Sequence, residues 1–124
     1  MRLVDISRYA KIEQLEVYPA GEVIFRQGDA GDEMYIVKTG EVDLTYGQGQ
    51  SVRVGAGYSF GEMSIIDKGP RSADAVAVTD VELYPISQAL FLVLVQDTPY
   101  FALEVMKSLA ERLRTANSSG QQID

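Results

Sequence analysis

The 124-residue chain contains no cysteine and no histidine. Without cysteine it can form neither disulfide bonds nor thiolate ligands. Without histidine it lacks the commonest general base and the imidazole ligands of most zinc and non-haem iron sites. A magnesium or calcium site made only of carboxylates stays open, although no EF-hand spacing occurs. We therefore predict no catalytic residue, no metal and no cofactor, and we regard an enzyme on a β-scaffold as the least favoured function.

Long apolar runs and an excess of positive charge are also missing. No segment approaches 18 uninterrupted apolar residues, and Asp5 and Arg8 interrupt the first residues, so we expect no membrane span, no signal peptide and a cytoplasmic location. Lys and Arg number 11 against 18 Asp and Glu, a formal net charge of −7. This balance argues against a nucleic-acid partner, which requires clustered basic side chains. A ligand that carries a single phosphate would need only one well-placed Arg.

The size and the glycine spacing predict a single β-rich domain over residues 1–124. The chain is 46% hydrophobic, which suits one compact core. Glycines separate short runs of β-branched and aromatic residues, and this pattern predicts strands over 15–18, 22–25, 34–37, 42–46, 51–54, 75–78 and 81–86. We expect a mainly β fold, an antiparallel β-roll of the jelly-roll (double-stranded β-helix) type over about 13–86. Gly47-Gln48-Gly49 is predicted to be a hairpin tip.

After residue 86 the hydrophobic period changes to that of helices, over about 87–117. Ser87 is the predicted N-cap of a helix over 88–96, and Thr98 followed by Pro99 begins a second helix. Apolar residues recur in the second helix with 4-3-4-3 spacing: Ala102, Met106, Leu109, Leu113 and Ala116. We interpret this stripe as core-facing in preference to a dimer seam. A short helix is predicted over 4–12, and a tail over 118–124.

Residues 60–73, FGEMSIIDKGPRSA, place a Glu and an Arg on either side of a short apolar turn. A turn at Gly61 can bring backbone N–H groups close to an anion, because no Cβ intervenes. Arg71 can form two parallel hydrogen bonds to a phosphate, and Ser72 adds a hydroxyl donor. Glu62 is an acceptor and suits a sugar hydroxyl. The alternative interpretation is that Glu62 and Arg71 form an ordinary surface ion pair.

This stretch resembles the phosphate-binding cassette of the cyclic nucleotide-binding domain family. That family includes bacterial regulators of the catabolite activator type, regulatory subunits of cyclic-AMP-dependent kinase and nucleotide-gated channels. Residues 18–44, YPAGEVIFRQGDAGDEMYIVKTGEVDL, are similar to its early strands, and residues 99–117 are similar to its last helices. The resemblance therefore covers most of the chain.

The resemblance implies a regulatory module that binds cyclic AMP or cyclic GMP. The ligand-binding residues that it implies are Gly61, Glu62, Met63, Ser64, Arg71, Ser72 and Ala73. Arg71 and Ser72 would bind the cyclic phosphate together with Gly61, while Glu62 would accept a hydrogen bond from the ribose 2′-OH. Ser64 is expected to contribute its backbone only. Because the hydroxyl of Ser72 can also touch a guanine amino group, the identity of the purine is left open.

The second helix, over 99–117, is the expected output of the domain. Its candidates for contact with the base are Arg112, Thr115 and Asn117. Its candidates for contact with a second copy, or with a partner protein, are Met106, Leu109 and Leu113. No helix-turn-helix pattern follows, so we expect no direct binding of DNA.

Asp74 departs from the family pattern, in which Thr, Ser or an apolar residue usually follows Pro-Arg-Ser-Ala. Strand alternation predicts that its side chain lies on the face opposite to Ala73. An inward Asp74 would repel a phosphate and pair with Arg71, and the chain would then be a ligand-free structural or interaction module. An outward Asp74 would leave the site open. The orientation of this carboxylate therefore separates the two hypotheses.

Overall fold

The computed structural model describes residues 14–118, and the side chains of residues 14–114. The helix predicted over 4–12 and the last six residues of the predicted tail lie outside the described residues. The elements in this part of the chain are β1 (Glu16–Tyr18), β2 (Val23–Phe25), β3 (Glu33–Thr39), β4 (Val42–Tyr46), β5 (Ser51–Val54), β6 (Ser59–Phe60), α1 (Met63–Ile66), β7 (Ala73–Ala77), β8 (Val81–Ser87), α2 (Gln88–Asp97) and α3 (Tyr100–Ser118).

The strands form two antiparallel sheets, which confirms the predicted β-roll. One sheet has the order β1-β8-β3-β6 and the other the order β2-β7-β4-β5. The main core lies between them, because strands of both sheets alternate buried and more exposed side chains. In β7 the buried side chains are Ala73, Ala75 and Ala77, and Asp74 and Val76 face the other way. Because these alanines are small, they leave room in the same core for the aromatic rings of Phe25, Tyr35 and Phe60.

The predicted hairpin tip is confirmed, and one short strand was missed. Tyr46 N donates to Gln50 O at 2.9 Å, and Gly49 has a φ of +88°, which a side chain would disfavour. Strand β6 is only two residues long, so it carries no alternation that a pattern could detect. Strand β6 positions the predicted cassette, because it leads directly into the turn at Gly61 that precedes α1.

Helices α1, α2 and α3 cover the outer face of the β1-β8-β3-β6 sheet around a second apolar cluster. Its buried members are Met34, Ile36, Ile65, Ile86, Leu94, Phe101 and Val105. The predicted cap of α2 is confirmed, since Ser87 Oγ accepts from Leu90 N at 3.2 Å. The chain then turns through Thr98 and Pro99 into α3.

The prediction that the 4-3-4-3 stripe of α3 faces the core is wrong for two of its members. Met106 is 57% exposed and Leu113 is 49% exposed. The inward row consists instead of Phe101, Val105 and Ser108, which are buried. Both rows have helical spacing, so the periodicity could not show which of them meets the sheet.

Candidate functional site

Strand β6 and the turn after it place the first part of the predicted cassette. Phe60 is completely buried, and its ring centroid lies 5.9 Å from that of Phe25 and 5.4 Å from that of Tyr35. The chain then reverses at Gly61, which has a φ of +80°. A Cβ at Gly61 would also lie 2.8 Å from Arg71 Nη1. Both the backbone conformation and the approach of Arg71 therefore require glycine.

Arg71 is buried, with 6% of its surface exposed. Its Nη1 donates to Glu33 O at 2.8 Å, to Gly61 O at 3.2 Å and to Ser64 Oγ at 3.0 Å. Its Cζ lies 4.2 Å from the centroid of the Phe25 ring, so the guanidinium packs against an aromatic face. Its Nε is buried and has no hydrogen-bond partner within the part of the chain that the structure describes.

The hydroxyl of Ser64 connects Arg71 to the surrounding backbone. It accepts from Arg71 Nη1, and it lies 3.0 Å from both Glu33 O and Gly61 O, to either of which it can donate. Ser64 is buried at the first turn of α1. The sequence did not predict this contact, in which the Ser64 side chain holds the guanidinium in place. That Ser64 offers only its backbone to a ligand stays a prediction.

Glu62 pairs with Arg112 of α3. The Oε1 atom of Glu62 accepts from Arg112 Nη2 at 2.8 Å, and its Oε2 accepts from the hydroxyl of Ser59. Arg112 Nη1 also donates to Ser59 O at 3.0 Å and to Ser108 Oγ at 3.0 Å. The Glu62 and Arg112 side chains are only 3% and 11% exposed. The interpretation of Glu62 and Arg71 as a surface ion pair is wrong, because both are buried and Glu62 has a different cation.

Arg112 was named from the sequence only as a contact for the base. Its role at Glu62 was missed, because nothing in a sequence pattern links two positions that are 50 residues apart. One signal was available. Phe101, Val105, Ser108 and Arg112 form a single row at helical spacing, so this row of α3 continues from apolar residues into a hydroxyl and a cation. Polar residues that continue an apolar row need a buried partner.

All seven predicted site residues line one pocket. The side chains and backbone that form it are those of Phe25, Leu44, Tyr46, Gly61, Glu62, Met63, Ser64, Arg71, Ser72, Ala73, Leu109 and Arg112. Leu109 and Arg112 come from α3, so this helix forms part of the wall. The free volume is about 40 Å³. Pockets that hold small organic ligands usually measure roughly 300–1,000 Å³, so this one is narrow.

The charge of the pocket differs in sign from that of the chain. Its charged lining residues are Arg71, Arg112 and Glu62. Burial raises the pKa of the Tyr46 hydroxyl, while the Arg112 guanidinium beside it acts in the opposite direction. Tyr46 is thus a neutral hydrogen-bonding group at neutral pH. Two guanidinium groups and one carboxylate leave a net positive lining inside a chain of formal charge −7. Such a lining suits an anion.

Asp74 points away from the pocket. Its Oδ1 accepts from the backbone N–H of Gln27 at 2.8 Å, and its Oδ2 lies 3.4 Å from Arg26 Nη1. The alternation predicted for this strand is confirmed, since Ala73 is buried and Asp74 is on the opposite face. Asp74 therefore anchors the loop between β2 and β3, and it does not compete for Arg71.

The other sequence expectations concern metals, membranes and the end of α3. In residues 14–118 no group of three or more His, Cys, Asp or Glu residues is placed to hold a metal ion. No single helix in that range is long and apolar enough to span a bilayer, and α2 and α3 meet that test only as a pair bent by 117°. The side chains of Thr115 and Asn117 lie outside those described, so Arg112 is the one candidate for the base that can be placed.

Comparison with known proteins agrees with the geometry. The family model of the cyclic nucleotide-binding domain matches residues 15–98. The Cyclic AMP receptor protein of Thermus thermophilus is 43% identical over 109 residues, which cover 84% of this chain and 50% of that protein. The chain thus spans half the length of this curated relative.

Two solved structures have the same fold. The crystal structure of the Thermus thermophilus Catabolite Activator Protein superposes with a TM-score of 0.70 at 42% identity, over 86% of this chain and 52% of that one. A structure described under "A cyclic-GMP-dependent signalling pathway regulates bacterial phytopathogenesis" superposes with a TM-score of 0.73 at 26% identity, over 93% of this chain and 98% of that one.

The buried Glu62–Arg112 pair leads to a prediction about stability. We expect Arg112→Met to lower the free energy of unfolding by about 3–5 kcal/mol, because it leaves the Glu62 carboxylate buried without a cation. Urea denaturation measures this loss. Arg114→Met, at an exposed position of the same helix, is the matched control and should change stability by less than about 0.5 kcal/mol. Equal effects of the two substitutions would contradict a buried pair.

Proposed function

The chain belongs to the cyclic nucleotide-binding domain family, and we propose that it is a sensor that binds cyclic AMP or cyclic GMP and signals through α3. The observation that carries the proposal is the incomplete hydrogen bonding of the Arg71 guanidinium. Its Nη1 is held by three protein oxygens, while its buried Nε has no partner in the described part of the chain. A buried N–H without an acceptor costs about 1–3 kcal/mol, which a phosphate oxygen would relieve.

The geometry of the guanidinium supports a two-pronged contact with the cyclic phosphate. Because Nη1 is fixed by the protein, the edge formed by Nε and Nη2 is the one left for a ligand. Two parallel N–H···O bonds along such an edge are the strongest form of Arg–phosphate recognition. Ser72 is exposed at the pocket and offers a hydroxyl to the same phosphate.

Glu62 is proposed to accept a hydrogen bond from the ribose 2′-OH. Each of its oxygens already accepts one hydrogen bond, from Arg112 and from Ser59. A carboxylate has about four acceptor positions, so it can take a further donor without losing these two. Gly61, Met63, Ser64 and Ala73 would complete the wall around phosphate and sugar.

The names of the related proteins are consistent with either cyclic AMP or cyclic GMP as the ligand. The Thermus relative is named for cyclic AMP, and one structural neighbour is described by cyclic GMP signalling. Ser72 is compatible with either purine. We therefore propose a cyclic purine mononucleotide as the ligand class, and competition between the two nucleotides would measure the preference.

Signalling through α3 is proposed because this helix closes the pocket. A free volume of about 40 Å³ is too small for a nucleotide, whereas ligand pockets usually exceed roughly 300 Å³. We propose that Leu109 and Arg112, the two lining residues on α3, shift when the ligand enters. Since Arg112 is bonded to Glu62, the proposed sugar contact and the position of α3 are energetically coupled.

A homodimer is proposed from the outer face of α3. Leu103, Met106 and Leu113 are exposed by 46%, 57% and 49%. With Ala110 they follow a 3-4-3 spacing, which is the pattern of a coiled-coil seam. Leu109, one of the dimer contacts expected from the sequence, packs instead against the core. We propose that a second copy of the same helix covers this row.

The binding proposal predicts that cyclic AMP or cyclic GMP binds and that Arg71→Ala weakens binding by about 2–4 kcal/mol, because the substitution removes the cation proposed to meet the phosphate. Isothermal titration calorimetry with both nucleotides measures the affinities. Arg53→Ala is the control, since Arg53 is exposed and pairs with Asp43 and Glu41. A loss below tenfold in Arg71→Ala would contradict the proposed role.

Titration with nucleotide also distinguishes the proposed sensor from a ligand-free interaction module. A nucleotide that binds only the native state must raise the thermal midpoint. If millimolar cyclic AMP and cyclic GMP give neither heat nor a shift of the midpoint in the folded chain, the sensor proposal is wrong and the ligand-free alternative stands.

The coupling proposal predicts a local change at α3. Saturating nucleotide should shift the methyl resonances of Leu109, because that side chain leaves the pocket wall. The methyl resonances of Val17, which is 65% exposed on β1, should be unaffected. Two-dimensional NMR of methyl-labelled protein measures both. An unchanged Leu109 signal in a protein that binds nucleotide would refute signalling by movement of α3.

The dimer proposal predicts a mass near twice that of the chain in light scattering at micromolar concentration. Met106→Lys should reduce this to the mass of one chain, because it places a charge in the centre of the apolar row. Val17→Lys introduces the same charge at an exposed apolar site on β1 and should leave the mass unchanged. A monomeric mass of the unmodified chain at high micromolar concentration would rule the dimer out.

A further inference from the structure

We propose that Gly31, in the loop between β2 and β3, is a positioning residue for Arg71. The missing side chain at Gly31 provides the space in which the guanidinium lies. Without this space Arg71 could not present its free edge to a phosphate. The inference rests on the proposed nucleotide binding, and it adds a residue outside the segment 60–73.

Gly31 and Arg71 lie closer together than any residue with a side chain at position 31 would allow. A Cβ built on Gly31 would lie 2.5 Å from Arg71 Cζ, 2.5 Å from Nε and 2.6 Å from Nη2. Non-bonded heavy atoms normally stay about 3.5–4.0 Å apart. Gly31 is not among the glycines with positive φ, so its backbone conformation would accept a side chain. The requirement for glycine at this position is therefore one of space for Arg71.

The Gly31 backbone and the ring of Phe25 both bound the space that the guanidinium occupies, and we call this space the slot. The Phe25 centroid is already 4.2 Å from Arg71 Cζ. A methyl group at Gly31 would therefore drive the guanidinium out of the slot, and the hydrogen bonds of its Nη1 would be lost or distorted.

The loop that carries Gly31 cannot retreat. Gly28 N donates to Arg71 O at 2.8 Å, and Arg71 N donates to Asp29 O at 2.8 Å. The Asp74 carboxylate accepts from Gln27 N at 2.8 Å, which ties the same loop to β7. These bonds fix the distance between the loop and the backbone of Arg71. The strain of a Gly31→Ala substitution is thus taken up by the end of the Arg71 side chain.

The expected effect is a loss of binding with the fold retained. Loss of a single charge-assisted hydrogen bond corresponds to about tenfold or more in affinity. Gly31→Ala should therefore weaken binding of cyclic AMP or cyclic GMP by about tenfold or more. The thermal midpoint without ligand should fall, because the hydrogen bonds of Nη1 are lost or distorted. The chain should nevertheless stay folded at the temperature of the titration, since the atoms that must move end a flexible side chain.

The first test is a double-mutant cycle by calorimetry on the full chain, with cyclic AMP and cyclic GMP. It compares Gly31→Ala, Arg71→Ala and the double substitution. If Gly31 acts through Arg71, Gly31→Ala has no further effect in the Arg71→Ala background. Gly55→Ala is the matched control, because Gly55 also lacks a positive φ and a Cβ there would meet no atom within 4 Å. Additive losses in the cycle, or full affinity in Gly31→Ala, would overturn the proposal.

The second test needs no ligand. The Nε–H of Arg71 gives its own signal in ¹H–¹⁵N NMR, and its shift depends on the Phe25 ring that it faces. Gly31→Ala should move this signal, and Gly55→Ala should not. If the signal does not move, Gly31 does not position Arg71. If the unmodified chain binds neither nucleotide, the proposed function fails, while this signal still decides the role of Gly31.

Discussion

Arg71 carries its charge into a site where only 6% of its surface is exposed, and the elements around it are arranged to supply acceptors. A guanidinium has five N–H donors and cannot give up its charge, so its burial requires partners. The β3 backbone, the Gly61 turn and the Ser64 hydroxyl meet Nη1, and the ring of Phe25 covers one face. Strands β2 and β3, the Gly61 turn and helix α1 thus all contact a single side chain.

The second guanidinium extends this arrangement to α3. Arg112 joins the last helix to Glu62 and to the carbonyl of Ser59, so the helix is bonded to the segment that Arg71 also organises. The two cations share one small pocket, and its lining is positive although the chain is acidic. In the proposed function, an anion would contact the β-roll through Arg71 and displace the helix that carries Arg112. A sensor requires such a connection between ligand and output.

Asp74 illustrates how a departure from a family pattern can be read from strand geometry. As an isolated residue beside Arg71 and Ser72 it suggested repulsion of a phosphate. The period of a β-strand placed it on the opposite face, and there its carboxylate holds the Gln27 backbone. The same loop contains Gly31, which lies against Arg71. Asp74 therefore ties this loop to β7 from outside the pocket.

The sequence by itself determined the β-roll, the two C-terminal helices, the Ser87 cap, the hairpin at Gly49 and the side of β7 on which Asp74 lies. These features depend on alternation, helical period and glycine conformation, which are local properties of the chain. The residues predicted for the site were close neighbours in sequence, which is why one segment could identify them.

Only the tertiary structure decided that Glu62 pairs with Arg112, that Met106 and Leu113 face outward, and that Gly31 lies against Arg71. Each of these outcomes depends on which surfaces of distant segments meet when sheets and helix pack together. A helical row can face either side, and a glycine in a loop has no partner until the chain is folded. Contacts between residues that are far apart in sequence are set by packing, and no local pattern encodes them.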